Sequence, residues 1–171
     1  GGYVRDHLLG LKTGDIDIAT SALPKDIITL FPDTILSGVK YGTVTVIYNN
    51  IKFEVTTFRM DGNYSDYRRP DNVLPISGLK EDVKRRDFTM NALAMTIDGE
   101  IIDYVGGIAD VENKIIKTVG NPHERFSEDA LRIIRLFRFV SVLGFGVDEC
   151  ALEAIDEKSQ PVSNLSKERI I

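Results

Sequence analysis

Apolar residues along most of the chain recur in short runs, some at helical spacing and others alternating with polar residues. Helical spacing places apolar side chains three and four residues apart, whereas alternation is typical of a strand with one buried face. Gly10 marks a helix end and Pro24 a helix start. The pattern predicts helices over residues 4–9, 24–31 and 79–85, and strands over residues 15–19, 43–48, 51–58, 91–97, 101–102 and 115–119.

Two segments between these elements predict a tight turn and a long loop. Asn49-Asn50 separates two β-branched and aromatic runs, which predicts a hairpin with a two-residue turn. Residues 59–77 are rich in Asp, Arg, Pro and Tyr and show little periodicity. An irregular loop of that length is uncommon in a compact domain and is often functional.

The last quarter of the chain predicts only helices. Ser127 predicts an N-cap, with Glu128 and Asp129 in the first turn, and the apolar spacing continues from Ala130 to Gly144. The same spacing predicts helices over residues 149–158 and after a second cap at Ser166.

The change of pattern near residues 120–126 indicates two parts within an α+β fold. We expect a mixed sheet with helices over residues 1–122, closed by the strand at residues 115–119, and an all-helical part over residues 123–171.

Composition narrows the class of protein. The chain has 171 residues, of which 43% are hydrophobic and 27% charged, and its net charge of −5 argues against a broad basic surface. A local basic cleft stays possible, because the field depends on where the charges lie. The single cysteine, Cys150, is interpreted as a small buried apolar residue and fits a reducing, cytoplasmic setting. No stretch is long and apolar enough to predict a membrane span.

Asp15 and Asp17 are the first candidates for chemistry. Residues two apart on a strand point to the same face, so two carboxylates would repel each other unless a cation lies between them. Mg²⁺ prefers such oxygen ligands together with substrate phosphates, and two such ions can hold both oxygens of an in-line displacement. Taken alone, Asp-x-Asp is also common on a solvated strand edge.

The residues before this pair point to a phosphate. The Gly1-Gly2 turn allows backbone N–H groups to approach phosphate oxygens, and Arg5 lies one turn into the helix that follows. Gly2 and Arg5 are therefore candidate nucleotide-binding residues. If its strand neighbours residues 15–19, Glu54 would join the carboxylates as a third ligand or take the proton of an attacking hydroxyl; otherwise it faces outward.

Arginine-rich segments supply the remaining candidates. Arg86 is suited to a triphosphate and Asp87 to a ribose hydroxyl, although Arg-Arg-Asp is often found on a surface. Arg132, Arg135 and Arg138 recur every third residue in a helix that is otherwise apolar and is expected to be largely buried.

Buried arginines need partners, which phosphates, base edges or salt bridges to the α/β part would supply. Asp129 lies one turn before Arg132. The pair would offer acceptors and donors to the hydrogen-bonding edge of a base.

Together these segments resemble the class II tRNA nucleotidyltransferases, or CCA-adding enzymes, and the related bacterial poly(A) polymerases. The resemblance rests on GGYVRDHLLG, DIDIAT, RRDFTMNALA, DYVGG, EDALRIIRLFRF and the start of SKERI, in that order. It implies a polymerase-β-like catalytic head followed by a helical neck, with Asp15 and Asp17 binding metal. It also implies nucleotide contacts at Gly2, Arg5, Arg86, Asp129, Arg132, Arg135 and Arg138.

In that family the neck helix acts as a protein template that pairs with the incoming C or A, a role that Asp129 and Arg132 would take here. The loop over residues 59–73 resembles the flexible loop that helps the family switch from C to A addition. The implied reaction adds C and A from CTP and ATP to the 3′ end of tRNA with Mg²⁺ and releases pyrophosphate. The family also has a strand and a helix before the position of Gly1, and body and tail domains after that of Ile171 that grip the tRNA.

Three alternatives stay open. An A-adding enzyme is compatible with the long loop, which disfavours a CC-adding enzyme. A poly(A) polymerase is disfavoured by KYGTVTV at residues 40–46, because those enzymes tend to be more basic there. A non-catalytic nucleotide-binding module on the same fold is disfavoured by the intact Asp15 and Asp17.

Overall fold

The computed structural model describes residues 1–12, 15–64 and 70–158, with side chains to Asp156. The helices are α1 Gly2–Leu8, α2 Pro24–Leu30, α3 Leu79–Asp82, α4 Gly107–Glu112, α5 Pro122–Glu128, α6 Leu131–Leu143 and α7 Glu149–Lys158. The strands are β1 Asp17–Thr20, β2 Thr34–Ile35, β3 Thr43–Tyr48, β4 Ile51–Thr57, β5 Arg59–Asp61, β6 Val73–Pro75, β7 Ala94–Met95, β8 Ile101–Ile102, β9 Ile115–Ile116 and β10 Gly146–Val147. Single turns of 3₁₀ helix cover Val39–Tyr41, Val83–Arg85 and Thr89–Asn91.

The main sheet has four strands in the order β1-β4-β3-β2. Strand β4 pairs parallel with β1 and antiparallel with β3, so the sheet is mixed. The hairpin between β3 and β4 turns at Asn49 and Asn50, whose φ angles of 49° and 61° match the turn type that favours Asn at both central positions. The predicted hairpin is therefore confirmed, and so is the α+β fold class.

The two faces of the main sheet differ in polarity. Val44, Val46 and Val55 are buried and form a cluster with Ile27 of α2, which covers that face. Because side chains alternate along a strand, the residues between these valines project from the opposite face. That face carries polar side chains, among them Glu54.

A second and larger cluster joins the helices. It contains Val4 of α1, Phe88, Leu93, Phe126 of α5 and Leu136 of α6, and it also includes residues of α4, β9 and α7. The helices of the last quarter therefore share one core with the segments that surround the Gly1-Gly2 turn. The division into residues 1–122 and 123–171 stays a prediction.

Several predicted elements are wrong in type or extent. Of the strand expected over residues 91–97, only the two residues of β7 are extended, and Asn91 is the last residue of the 3₁₀ turn that begins at Thr89. The turn allows Met90 and Leu93 both to enter the core. Strand β9 pairs with β10 and does not close the main sheet. The segment 59–77 is not structureless at its ends, where β5 and β6 pair antiparallel. Helix α4 was not predicted.

The first neck helix is also interrupted. Ser127 does not cap a helix but lies inside α5, where its hydroxyl donates to the carbonyl of His123. The cap of α5 is Asn121, followed by Pro122, and the chain leaves helical geometry at Asp129 before α6 begins. The prediction at Ser166 lies outside the described residues.

Two simpler expectations have different outcomes. Cys150 is exposed, so its interpretation as a buried apolar residue is wrong. Within the described ranges, no helix has both the length and the apolar character needed to cross a bilayer.

Candidate active site

The carboxylates meet on the polar face of the main sheet. Strands β1 and β4 run side by side with Asp17 opposite Glu54, and Glu54 is in turn opposite Thr45 of β3. Residues paired across neighbouring strands project from the same face. The expected proximity of Glu54 to Asp17 is therefore present, and both side chains are exposed.

Asp15 lies just before the sheet, because β1 begins at Asp17 and not at residue 15 as expected. Within residues 1–12, 15–64 and 70–158, no group of three or more Asp, Glu, His or Cys side chains is arranged to hold a metal ion.

The Gly1-Gly2 turn is bordered by two guanidinium groups. A Cβ atom placed at Gly1 would lie 3.7 Å from Nη1 of Arg86, and one placed at Gly2 would lie 3.7 Å from Nη2 of Arg5. The charged groups that act on Gly1 are those of Arg86, Asp17, Arg5 and Asp87. The turn therefore lies among the candidate site residues.

Arg5 is 8% exposed and has a partner on each side. Its Nη1 donates to Oδ1 of Asn91 at 2.6 Å, and its Nε donates to Oδ1 of Asp6 at 2.8 Å. The guanidinium also lies over the ring of Phe139 in α6, 5.1 Å from the ring centroid. These contacts fix α1 against the neck and hold Arg5 beside Gly2.

Arg86 and Asp87 point into the same region from the segment after α3. Arg86 donates from Nε and Nη2 to Oδ2 of Asp82, at 3.3 and 3.1 Å. Asp87 accepts from the backbone N–H of Phe88 at 2.7 Å and from Nε of Arg135 at 2.7 Å. The ion pair between Asp87 and Arg135 joins the α/β part to α6. Salt bridges of this kind were one of the alternatives considered for the arginines of this helix.

Asp129 and Arg132 lie at the break between α5 and α6. Oδ1 of Asp129 accepts from the backbone N–H of Leu131 at 3.0 Å. Arg132 is 5% exposed and donates from Nη1 to Oε2 of Glu128 at 2.7 Å. Its Nη2 donates to the carbonyl of Arg85 at 3.1 Å. The break thus sets Asp129 outside a helix while Arg132 is anchored in the first turn of the next one.

The arginine stripe of α6 runs from the interior to the surface. Arg132 is buried, whereas Arg135 and Arg138 are exposed. Phe137 is 51% and Val142 70% exposed, so the expectation of a largely buried helix is wrong. The apolar residues of α6 cover more than one face, and only the face with Ile133 and Leu136 meets the core. Arg138 therefore lies away from Arg132.

Two cavities flank these residues. The first, of about 450 Å³, opens on the polar face of the sheet and is lined by Ser37, Gly38, Tyr41, Thr43, Thr45, Glu54, Arg59 and Pro70. The second, of about 320 Å³, lies between the β5–β6 hairpin and α5 and is lined by Met60, Asp61, Gly62, Tyr64, Glu81, Lys84, Arg85, Arg125 and Glu128. Burial and a hydrogen bond to Asp61 raise the pKa of Tyr64 above its ordinary value.

Sequence reasoning missed two residues of the site. Asp82 holds Arg86. The sequence did not predict this role, because an acidic residue in a short polar helix usually lies on the surface. Asn91 accepts from Arg5, donates from Nδ2 to Asp87 at 3.4 Å, and accepts at its carbonyl from Nη1 of Arg86 at 3.4 Å. Its position within RRDFTMN was the available signal.

Comparison with known proteins places this geometry in a family. Residues 1–117 match the poly A polymerase head domain. A CCA-adding enzyme of Geobacillus sp. strain WCH70 is 54% identical over 170 residues, which are 99% of this chain and 42% of that protein.

Solved structures agree with the match. The Bacillus stearothermophilus CCA-adding enzyme in complex with CTP superposes with a TM-score of 0.91 at 48% identity, over 99% of this chain and 41% of that one. A tRNA nucleotidyltransferase complexed with a primer tRNA and an incoming ATP analog superposes with a TM-score of 0.76 at 28% identity, over 100% of this chain and 49% of that one.

The chain therefore spans less than half the length of the relatives it matches. The polymerase-β-like head and the resemblance on which it was predicted are both confirmed. On the match over residues 1–117, the chain belongs to the poly A polymerase head domain family.

Proposed function

We propose that this chain is the catalytic head and neck of an enzyme that adds C and A from CTP and ATP to the 3′ end of tRNA. The observation that carries the proposal is the pairing of Asp17 with Glu54 on the polar face of the sheet. The Gly1-Gly2 turn is bordered by Arg5 and Arg86, and Arg132 donates to the carbonyl of Arg85, the neighbour of Arg86. The similar solved structures are complexes, one with CTP and one with a primer tRNA and an ATP analog. These are the ligands that such a site would need.

The donor set fits Mg²⁺. This ion usually binds through one or two carboxylates together with substrate phosphates, and Asp15 and Asp17 offer oxygen ligands beside a turn suited to phosphates. When bound, two Mg²⁺ ions would gather negative charge and align the attacking and leaving oxygens. Asp15 and Asp17 would hold the ions, and Glu54 would add a ligand or accept the proton of the terminal hydroxyl of the RNA.

The remaining residues would position the nucleotide. Gly2, Arg5 and Arg86 surround the place proposed for the triphosphate, and Asp87 is proposed for the ribose. With this arrangement the α-phosphate would face the carboxylates, where the 3′ hydroxyl attacks it and pyrophosphate leaves.

Base choice is assigned to the break between α5 and α6. Asp129 offers acceptors and Arg132 offers donors, which suits the hydrogen-bonding edge of cytosine or adenine. Arg135 is held by Asp87 and would keep α6 in register with the head, while Arg138 would contact a phosphate of the RNA.

The decisive experiment counts nucleotides added to tRNA that lacks its last three. The full-length protein is incubated with Mg²⁺ and CTP alone, ATP alone, and both together. Two C from CTP alone, and one further A with both, are expected for CCA addition. One A added only to tRNA that already ends in CC would indicate an A-adding enzyme, and a long run of A would indicate a poly(A) polymerase.

A variant separates catalysis from simple nucleotide binding. Asp15→Ala with Asp17→Ala is expected to abolish extension and the Mg²⁺ dependence of CTP and ATP binding. A protein that never extends RNA, and keeps its nucleotide affinity after this change, would instead be a non-catalytic binding module.

A further inference from the structure

Asp82 is the only buried carboxylate among residues 1–12, 15–64 and 70–156, and it is 1% exposed. A charged side chain in the interior is costly unless its partners satisfy it. Asp82 lies at the end of α3, 4 residues before Arg86, and faces the segment that carries two consecutive arginines. Its burial therefore requires partners that offset the cost of the buried charge.

The two oxygens of Asp82 have different partners. Oδ1 accepts from the backbone N–H of Arg59 at 3.1 Å and from Nε of Arg85 at 2.9 Å. Oδ2 accepts from Nε and Nη2 of Arg86, at 3.3 and 3.1 Å. One carboxylate thus serves two guanidinium groups and the start of β5, which leaves a net positive charge on this side of the site.

The contact fixes the direction of the Arg86 guanidinium. The group is planar, and its Nε–Nη2 edge is taken by Asp82. The remaining nitrogen, Nη1, lies beside the Gly1-Gly2 turn, where it would be 3.7 Å from a Cβ atom at Gly1. One of its two N–H groups donates to the carbonyl of Asn91 at 3.4 Å, which leaves the other for a phosphate. Asp82 itself lies behind Arg86 and does not border the turn.

We propose that Asp82 is a positioning residue for triphosphate binding, because it holds Arg86 by one edge so that Nη1 faces the phosphates. The proposal rests on the proposed function of the site. Asp82 acts through Arg86 on a part of the nucleotide that CTP and ATP share. Loss of Asp82 should therefore weaken the binding of both nucleotides equally and leave the choice of base unchanged.

The test compares Asp82→Asn with the unaltered full-length protein. The amide has one accepting oxygen where the carboxylate has two, so Arg86 or Arg85 loses its partner. We expect KM to rise about tenfold for CTP and ATP alike, while kcat changes less than KM. Inorganic tripolyphosphate, which has no base or sugar, should lose potency as a competitive inhibitor by a similar factor.

Asp110→Asn is the matched control. Asp110 accepts from the hydroxyl of Thr89 at 2.6 Å, away from the arginines of the turn, so this change should lower the melting temperature without raising KM. If Asp82→Asn does not fold, Asp82→Glu keeps the charge and displaces Arg86 by one methylene. It is expected to raise KM by a smaller factor.

A double-mutant cycle separates positioning from general stability. In an Arg86→Ala background, Asp82→Asn should cause no further rise in KM. An additive rise, or a fall in melting temperature with KM unchanged, would overturn the proposal.

Failure of the proposed function gives a different result. If the unaltered protein extends no tRNA, equilibrium binding of CTP with Mg²⁺ replaces KM as the readout, and Asp82→Asn should still weaken it. Unchanged binding there would overturn the role of Asp82, whereas the absence of extension alone contradicts only the enzymatic function.

Discussion

At the scale of single residues, three arginines of the candidate site are held by protein partners before any nucleotide binds. Arg5 is held by Asn91, Arg86 by Asp82, and Arg132 by Glu128. Ordering a long side chain on binding costs about 0.5–1.5 kcal/mol, and here that cost has been met during folding. The proposed site is thus preorganised for a ligand with several negative charges.

Arg132 provides the sharpest test of base selection. Arg132→Ala should relax the choice of base more than it slows addition, because in the proposed site the lost donors would pair with the base and not with the phosphates. Misincorporation of U and G, measured with each nucleotide alone, is expected to rise about tenfold or more. Arg132→Lys keeps the charge without the planar fork and should also misincorporate. Equal losses with all four nucleotides and no misincorporation would refute the assignment.

Asp103 has a structural role within DYVGG. Its carboxylate accepts from the backbone N–H groups of Val105, Gly106 and Ile108, each at 2.9 Å. Burial alone would raise the pKa of Asp103, but these backbone hydrogen bonds outweigh it and hold the pKa below the ordinary 3.8. The ionised form is therefore the one that stabilises the turn before α4.

Asp103→Ala should lower the free energy of unfolding by about 1–2 kcal/mol at neutral pH. A lowered pKa in the folded state gives stability that is present above the unfolded pKa and is lost as pH falls through the folded value. The difference between the two proteins in urea unfolding should thus be constant from about pH 7 to 5 and shrink below about pH 4. A difference that shrinks already near neutral pH would contradict this role.

At the scale of elements, α4 depends on two glycines with different requirements. Gly106 has a φ angle of 80° with open space around it, whereas a Cβ atom at Gly107 would lie only 2.2 Å from the carbonyl oxygen of Thr89. Gly106→Ala should cost about 1–2 kcal/mol from backbone strain alone. Gly107→Ala should cost more, because α4 must move away from the 3₁₀ turn that carries Asn91. Thermal melting of both variants checks the order, and equal losses would show that the close approach is not limiting.

The elements that could be predicted are those whose ends are marked by residues within them or next to them. The Asn49-Asn50 hairpin, α2 behind Pro24 and α7 were all predicted within one or two residues. Strand β9 was assigned to the wrong sheet because its partner, β10, follows α6 and is only two residues long. The break at Asp129 was missed because Ser127 and Glu128 look like a helix start, and only Asn121 with Pro122 shows that a helix has begun earlier.

The candidate site was predicted in its residue types and less well in its contacts. Gly2, Arg5, Arg86 and Asp17 lie close together, as expected. The sequence pointed to them because a glycine turn and arginines suit phosphates, and a carboxylate suits a metal ion. The partners Asp82 and Asn91 were not foreseen, because a side chain that positions another has no pattern of its own. Such pairs depend on the path of the chain in three dimensions.

At the scale of the whole molecule, the larger core crosses the predicted boundary at residue 122. Val4 and Phe88 on one side of the boundary pack with Ile133 and Leu136 on the other. The salt bridge between Asp87 and Arg135 lies over the same seam. Residues proposed for the triphosphate and for the base therefore rest on one packed body, which would keep their separation constant during addition.

Leu136→Ala tests whether that body unfolds as one unit. Leu136 is completely buried, so the change should cost about 2–5 kcal/mol. Native-state hydrogen exchange should then show reduced protection at the backbone N–H of Asn91 in the head as well as of Gly144 in the neck, because both are ordered by the same core. Val46→Ala, in the separate cluster behind the main sheet, is the control and should affect β3 and β4 first. If Leu136→Ala loosens only the amides after residue 122, the head is stable by itself, and triphosphate binding should survive unfolding of the neck while base selection is lost.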